Sequence, residues 1–338
     1  MSQTTHPTII TLDKAMHQKL IAADKQWQTA FEQLPLDKAN AILALCDDTH
    51  AYAWLSLWWE NTPRYQNFKT ACIGNYYAQT LDASQQILNA AQTILRQHNA
   101  QYVIAPMDGN TWHNYRLTSQ IQSPPQTEPA FFLETLTPPE WNHYFQVAQF
   151  QCIANYASTC NTELDYVENA APEWQKRFAS DPAYQLKNLD LEHIDSQLEE
   201  LYTLSIQGFQ NNFLYTDISL AEFKALYQPV LPLVVPKLVQ MAYVRGQLAG
   251  FAFAVPDYAQ KQRNQTVDTL ILKTFVRHPD ATFKGLGTYL MWNTYQIARA
   301  HGYKRVITAF MHEDNASLHL SLKTGQIIRK YALYGKQL

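Results

Sequence analysis

The apolar positions of the chain change period several times, and each change marks an element. Between Leu12 and about Leu45 they recur at helical spacing, which predicts a helix-rich opening. "AYAWLSLWWE" (residues 51–60) and "FKTACIGNYYAQ" are dense in aromatic and β-branched residues and predict two strands. Asp82 is placed to cap a helix, "ASQQILNAAQTILRQHNA", whose Ile87, Leu88, Ala91, Ile94 and Leu95 share one face before the short apolar strand "YVIAPM". Prolines in "SPPQTEPAFFLETLTPPEW" then break regular structure from Ser123. A short helix from Trp141 to Ala148 and a strand near Cys152 to Tyr156 follow.

The polar passage "ENAAPEWQKRFASDPAYQ" divides the chain into two domains, residues 1–165 and 186–338. Beyond it, "DSQLEELYTLSIQGFQ" and "SLAEFKALYQPVL" read as helices. "LVQMAYVRGQLAGFAFAVPD" reads as a hairpin turning at Arg245-Gly246-Gln247, where Gly246 supplies the positive φ of a tight turn. A strand "DTLILKTFV", a helix "GTYLMWNTYQIARAHG" ending at Gly302, a strand "YKRVITAFM", a short helix closed by Gly325 and a last strand complete the order. Strands alternating with helices give an α/β chain with an α+β mixed sheet.

Composition narrows the function classes. With 338 residues, 46% apolar and 16% charged, the chain has material for two cores. A net charge of -3 and the lack of any Lys/Arg run argue against nucleic acid as a partner. The opening "MSQTTHPTIITLDK" has no basic stretch followed by an apolar core, and "VLPLVVPKLVQMAYV" is broken by proline and lysine, so neither export nor a membrane is expected. Cys46, Cys72, Cys152 and Cys160 form no CxxC pair and lie near no histidines at metal-ligand spacing. They read as buried thiols in a cytoplasmic protein without a metal site.

Chemistry concentrates in "VRHPDATFKGLGTYLMWN", where two glycines one residue apart stand between a strand and a helix. A helix starting there gathers the amides of Lys284, Gly285, Leu286, Gly287 and Thr288 at its positive end, a site that favours an anion. Each amide bond to a charged oxygen is worth roughly 1.5–3 kcal/mol. The nucleotide P-loop pattern G-x-x-x-x-G-K-[ST] is absent. The connection "RHPDATFK" is too long for a dinucleotide turn, and too little chain follows Met311 for a second mononucleotide half.

The segment from about Leu191 to Leu338 resembles the GNAT superfamily of acyl-CoA-dependent N-acyltransferases. The resemblance rests on Phe275-Val276, Pro279, Thr282-Phe-Lys-Gly285-Leu-Gly287, the helix through Trp292, the strand through Phe310, and Glu313-Asp314-Asn315, in that order. Thr282 stands where the family usually carries glutamine or arginine. The resemblance implies acetyl-CoA as acyl donor, with its pyrophosphate on the amides of Lys284 to Thr288, its pantetheine along the backbone of Phe275 and Val276, and Asn315 holding the coenzyme. It implies transfer of the acetyl group to an amine by direct attack.

Such a transfer needs an acid for the departing thiolate and a base for the amine. The tyrosine that many relatives place four residues before the closing glycine is Ser321 here. Tyr331, with Tyr334 as the other choice, is the candidate acid, at most one of the two facing the site. Glu313, with His312, is the candidate base at the carboxyl end of its strand. The amino-terminal half repeats strand, helix, strand without any glycine in "YYAQTLDAS" and resembles a degenerate GNAT-like domain. Its loop "PMDGNTWHNYR" carries Asp108, Asn110, Trp112, His113, Tyr115 and Arg116, suited to an acceptor pocket or to interdomain packing. The expected partners are a small-molecule or peptide amine and a second copy in a homodimer. Two other readings stay open: an acyl-CoA sensor without turnover, and a nicotinamide-dinucleotide oxidoreductase.

Overall fold

The computed structural model describes residues 6–23, 31, 33–47, 50–121, 128–166 and 171–338. Among them, thirteen strands form a single sheet. The first half supplies β1 (Thr8–Thr11), α1 (Lys14–Ala23), β2 (Ala41–Cys46), β3 (Ala51–Trp58), β4 (Thr70–Ala78), α2 (Leu81–Gln97), β5 (Tyr102–Ala105), β6 (Leu117–Ile121), α3 (Glu140–Val147) and β7 (Gln151–Asn161). The passage between the halves holds α4 (Ala171–Ser180) and β8 (Tyr184–Asn188). The second half adds α5 (Ile194–Phe209), α6 (Leu220–Tyr227), β9 (Val239–Val244), β10 (Gln247–Pro256), α7 (Tyr258–Gln262), β11 (Thr269–Arg277), α8 (Leu286–Ala300), β12 (Arg305–His312), α9 (Ala316–Ser321) and β13 (Gly325–Gln337). The β9–β10 hairpin turns through Arg245 and Gly246 at φ 51° and 79°, as the glycine suggested.

Strand order along the sheet is β1-β2-β3-β4-β5-β13-β7-β12-β11-β10-β9-β8, with β6 also pairing β13. The halves exchange strands at its centre. β13 is antiparallel to β5, with Tyr334 opposite Ala105, and to β7, with Tyr331 opposite Tyr156. β7 in turn pairs β12, with Ile307 opposite Cys160. Each half thus completes its sheet with the other's last strand.

In both halves a parallel pair opens after a few residues. β4 and β5 pair only from Thr70 to Cys72, and β11 and β12 only from Thr269 to Leu272. A bulge follows on each longer strand, at Asn75–Tyr76 against β3 and at Lys273 against β10. A bulge bends its strand, and here it turns the strand away from its parallel neighbour.

Several expectations need correction. Residues 41–46, read with the opening helix, are the buried strand β2, because a fully buried run cannot be told from a helix by period alone. Thr80, not Asp82, caps α2, its side chain accepting from Ala83 N–H. Gly325 closes no helix: it opens β13, where a Cβ would meet the Asn161 side chain at 2.7 Å. Cys152 is exposed, unlike the other three cysteines.

Candidate functional site

The glycine pair stands at the start of a helix, Gly285 as its cap and Gly287 in its first turn. Gly285 caps α8 at φ 88°, a left-handed conformation that side chains resist, and no side chain caps the helix. The first bond of the helix runs from Tyr289 N–H to Gly285 C=O, so the N–H groups of Gly285, Leu286, Gly287 and Thr288 precede the helical ladder. The Lys284 amide is not among them, since it donates to Ala281 C=O at 3.0 Å. Lys284 therefore offers a side chain, and its own carbonyl accepts from the Trp174 indole. A Cβ on Gly287 would meet only Phe275, at 4.0 Å, so its face lies open. The Thr282 hydroxyl donates to Asp280 Oδ1 at 2.8 Å.

Beside the cradle, Phe275 and Val276 pair with Ala252 and Phe251 of β10 on one edge, while the pairing with β12 ended at Leu272. Their other edge borders the opening. Gly208 lets α5 lie against this strand: a Cβ there would fall 2.3 Å from Val276 Cγ1. On the far side of the opening, Phe310 takes φ 60° at a bulge of β12, and its N–H donates to Ser158 Oγ.

A cavity of about 1110 Å³ lies at the junction of the halves. Its walls include Lys273 and Phe310 from the opened strands, Tyr331 from β13, Arg116, Trp112 and His113 from the first-half loop, and Glu222 from α6. The loop read as either a pocket wall or interdomain packing does both: it lines this cavity, and Trp112 packs on Phe209 and Phe223 of the other half and donates to Thr216 C=O. Tyr331 is 2% exposed and bonds Glu134, while Ser158 Oγ lies 3.1 Å from its hydroxyl; burial and the Glu134 charge push its phenol far above the usual range. Tyr334 faces the opposite side of β13 and donates to Asn142. Glu313 is exposed, bonding the Asn155 backbone and amide, and Asn315 caps α9 through Ser317 N–H. Neither joins Tyr331 in the cavity lining. Ser321 is buried, bonded to Thr159 and Asn161.

This order of elements, opened strands and glycine-capped helix invites comparison with known proteins. Residues 198–325 match the sequence profile of the Acetyltransferase (GNAT) family. That match lies wholly in the carboxy-terminal half and makes this half similar to the GNAT family. Solved structures extend the likeness of fold to the whole chain. A GCN5-related N-acetyltransferase from Sphaerobacter thermophilus is 11% identical with a TM-score of 0.53, over 99% of this chain and 97% of its own. A tandem GNAT protein from the clavulanic acid biosynthesis pathway is 11% identical with a TM-score of 0.52, over 98% of each. A probable N-acyltransferase from Enterococcus faecalis is 10% identical with a TM-score of 0.56, over 98% of this chain and 73% of its own. No curated protein sequence matches the chain.

The first half keeps the GNAT frame and fills its opening. Met107 N–H donates to Ile73 C=O at 2.7 Å, and Asp108 accepts from the backbone and side chain of Asn75 at 2.6 and 2.9 Å. Burial raises the Asp108 carboxyl to about 7 against these bonds. Gly74 makes room for it, since a Cβ there would lie 2.3 Å from Asp108 Oδ1. The capping Thr80 already takes one amide of α2. Of the two GNAT-like frames, the second alone presents glycine-bared amides beside an open strand pair. Lys273 and Glu134 are not among the residues the sequence singles out; a lone lysine inside "LILKTFV" is the available signal.

Proposed function

We propose that the protein transfers an acetyl group from acetyl-CoA to a primary amine by direct attack. The observation that carries this reading is the row of four amides, Gly285 to Thr288, set beside the edge of Phe275 and Val276 left open by β12. Pyrophosphate on those amides and pantetheine amides along that edge bring the thioester to Lys273, where the strands part and the cavity begins. The neutral amine enters through the cavity and its nitrogen bonds to the acyl carbon. The carbon–sulfur bond breaks, and the thiolate leaves with a proton. Tyr331 holds its proton at neutral pH and lines the cavity, which suits it as the donor. Glu313 lies at the solvent end of β12, so it serves as base only through water.

Ser321, small and tied to Thr159 and Asn161 where relatives carry a tyrosine, favours one rival: a protein that binds acyl-CoA without turnover. Calorimetry with acetyl-CoA, CoA and NAD, beside Gly287→Glu, tests the donor site. The space at Gly287 admits the substitution, and its carboxylate would face the phosphates. Micromolar acetyl-CoA affinity, lost in the variant, is the expected result. Binding of NAD instead, or unchanged affinity, refutes the cradle. Amine-dependent release of the CoA thiol from acetyl-CoA, read over a panel of amines, then separates transferase from sensor.

A further inference from the structure

The inner end of the cavity carries positive charge without an answering carboxylate. The Arg116 guanidinium lies 4.1 Å from the ring centroid of Tyr115, 4.3 Å from Phe310, 4.9 Å from Tyr156 and 5.5 Å from Tyr331. Its Nη1 is buried with no hydrogen-bond partner. Lys273 Nζ stands 4.0 Å from the same Phe310 ring. Aromatic faces attract cations, but they do not satisfy N–H groups.

Among the carboxylates around the cavity, Glu134, Asp108 and Glu222 are engaged elsewhere, and Asp217 stands by the Tyr215 hydroxyl. Glu134, fully buried, receives Arg329 Nε at 3.0 Å, Arg329 Nη2 at 3.3 Å and the Tyr331 hydroxyl. Asp108 is held by Asn75, and Glu222 lies 3.1 Å from His113. Burying a cation is costly unless an anion accompanies it. The backbone adds a second sign, since Arg116 is held at φ 75° while its N–H donates to Pro106 C=O. A non-glycine residue kept in that region is strained, and such strain gathers at ligand sites.

We propose that Arg116 and Lys273 form a carboxylate subsite, and that the acceptor is therefore an amine bearing a carboxylate, of the amino-acid class. This rests on the acyl-transfer reading for the role of the amine, while the anion site itself stands on the cavity alone. Lys273 marks the point where β11 leaves β12, so a carboxylate there puts an amine one or two carbons away beside the thioester. The planar fork of Arg116 matches a carboxylate in two parallel bonds. The Lys273 ammonium, pushed down to about 7 by burial and by Arg116 and only partly restored by Glu134, reports the same want of negative charge.

The test uses the full chain and matched probes: N-acetylphenylalanine against N-acetylphenethylamine, and N-acetylglycine against N-methylacetamide, titrated by calorimetry with and without CoA. A charge-assisted pair predicts that the carboxylated member binds about 10- to 100-fold tighter. Arg116→Gln and Lys273→Met should each remove most of that difference. Equal affinity within each pair, no binding by either carboxylated probe, or inorganic phosphate binding as tightly as they do overturns the subsite. Because the native chain answers through the probe pairs, the result does not depend on either variant folding. Loss of acetyl-CoA affinity on its own would refute the transferase reading and leave the anion site intact.

Discussion

Lys273→Met should stabilise the protein, and by an amount that depends on pH. Methionine keeps an unbranched stem of similar size against Phe310 and removes the charge. The Lys273 ammonium is pushed down to about 7 in the fold against 10.5 when free, burial and Arg116 lowering it and Glu134 opposing them, while Asp217 and Glu222, from α6 and its preceding loop, line the same cavity. Between those two pH values the unfolded chain holds a proton that the fold does not. Stability from this group therefore rises as pH increases from 7 to 10.5, and the full cost is present below 7. At about 1.4 kcal/mol for each pH unit the ceiling is about 5 kcal/mol. The cavity admits water, which screens the charge and leaves a net cost on the order of 2–3 kcal/mol. Urea unfolding of both proteins between pH 6 and pH 10 measures it. The variant should be more stable at pH 6, and the gap should close toward pH 10. A gap that stays constant, or a variant less stable at pH 6, refutes the picture of a half-buried, under-compensated cation.

Other parts of the structure give equally direct tests. Glu134→Gln leaves the Arg329 guanidinium buried without its countercharge and should cost about 3–5 kcal/mol in urea unfolding, as breaking buried pairs does. Tyr331→Phe should lower kcat by about 10²–10⁴ if its hydroxyl protonates the thiolate, with acetyl-CoA affinity by calorimetry unchanged. Gly208→Ala forces a Cβ into Val276 and should cost about 1–3 kcal/mol, seen as a lower Tm, while shifting the strand edge proposed for pantetheine. Titrating the native protein at pH 8 with N-acetylphenylalanine should take up protons, because a carboxylate beside Lys273 restores its charge. Calorimetry in two buffers of different ionisation enthalpy reads that uptake.

Local rules made much of the second half legible. Gly246 and Gly302 took the positive φ expected of them, at 79° and 81°, while the helix read from Gly287 begins one residue earlier, at Leu286, with Gly285 as its cap. Tyr331 and Tyr334 fell on opposite faces of β13, so alternation decided which of them met the cavity. What escaped was non-local. Periodicity could not show that "AILALC" was a strand buried on both faces. It could not foresee α4, hidden in a polar passage but anchored by buried Trp174. Lys273 reads as an irregularity in a strand until the bulge turns it toward the cavity, and Arg116 and Glu134 reach the same place from distant loops. Nor does a sequence pattern tell Gly325 as a helix end from Gly325 as the residue that admits Asn161.

The exchange of strands sets the order in which this protein can be made. The first half emerges from the ribosome with the edge of β5 uncovered, and that edge stays bare until residues 325–337 have been synthesised. A strand placed in the middle of the finished sheet is thus among the latest in translation. An exposed edge is a template for wrong pairings, so the interval between β5 and β13 is when the nascent chain most needs shielding. Cutting the gene between the halves would yield two fragments, each missing an inner strand. The native sheet would form only when both are present and trade those strands, which makes complementation between fragments, rather than independent folding, their natural behaviour.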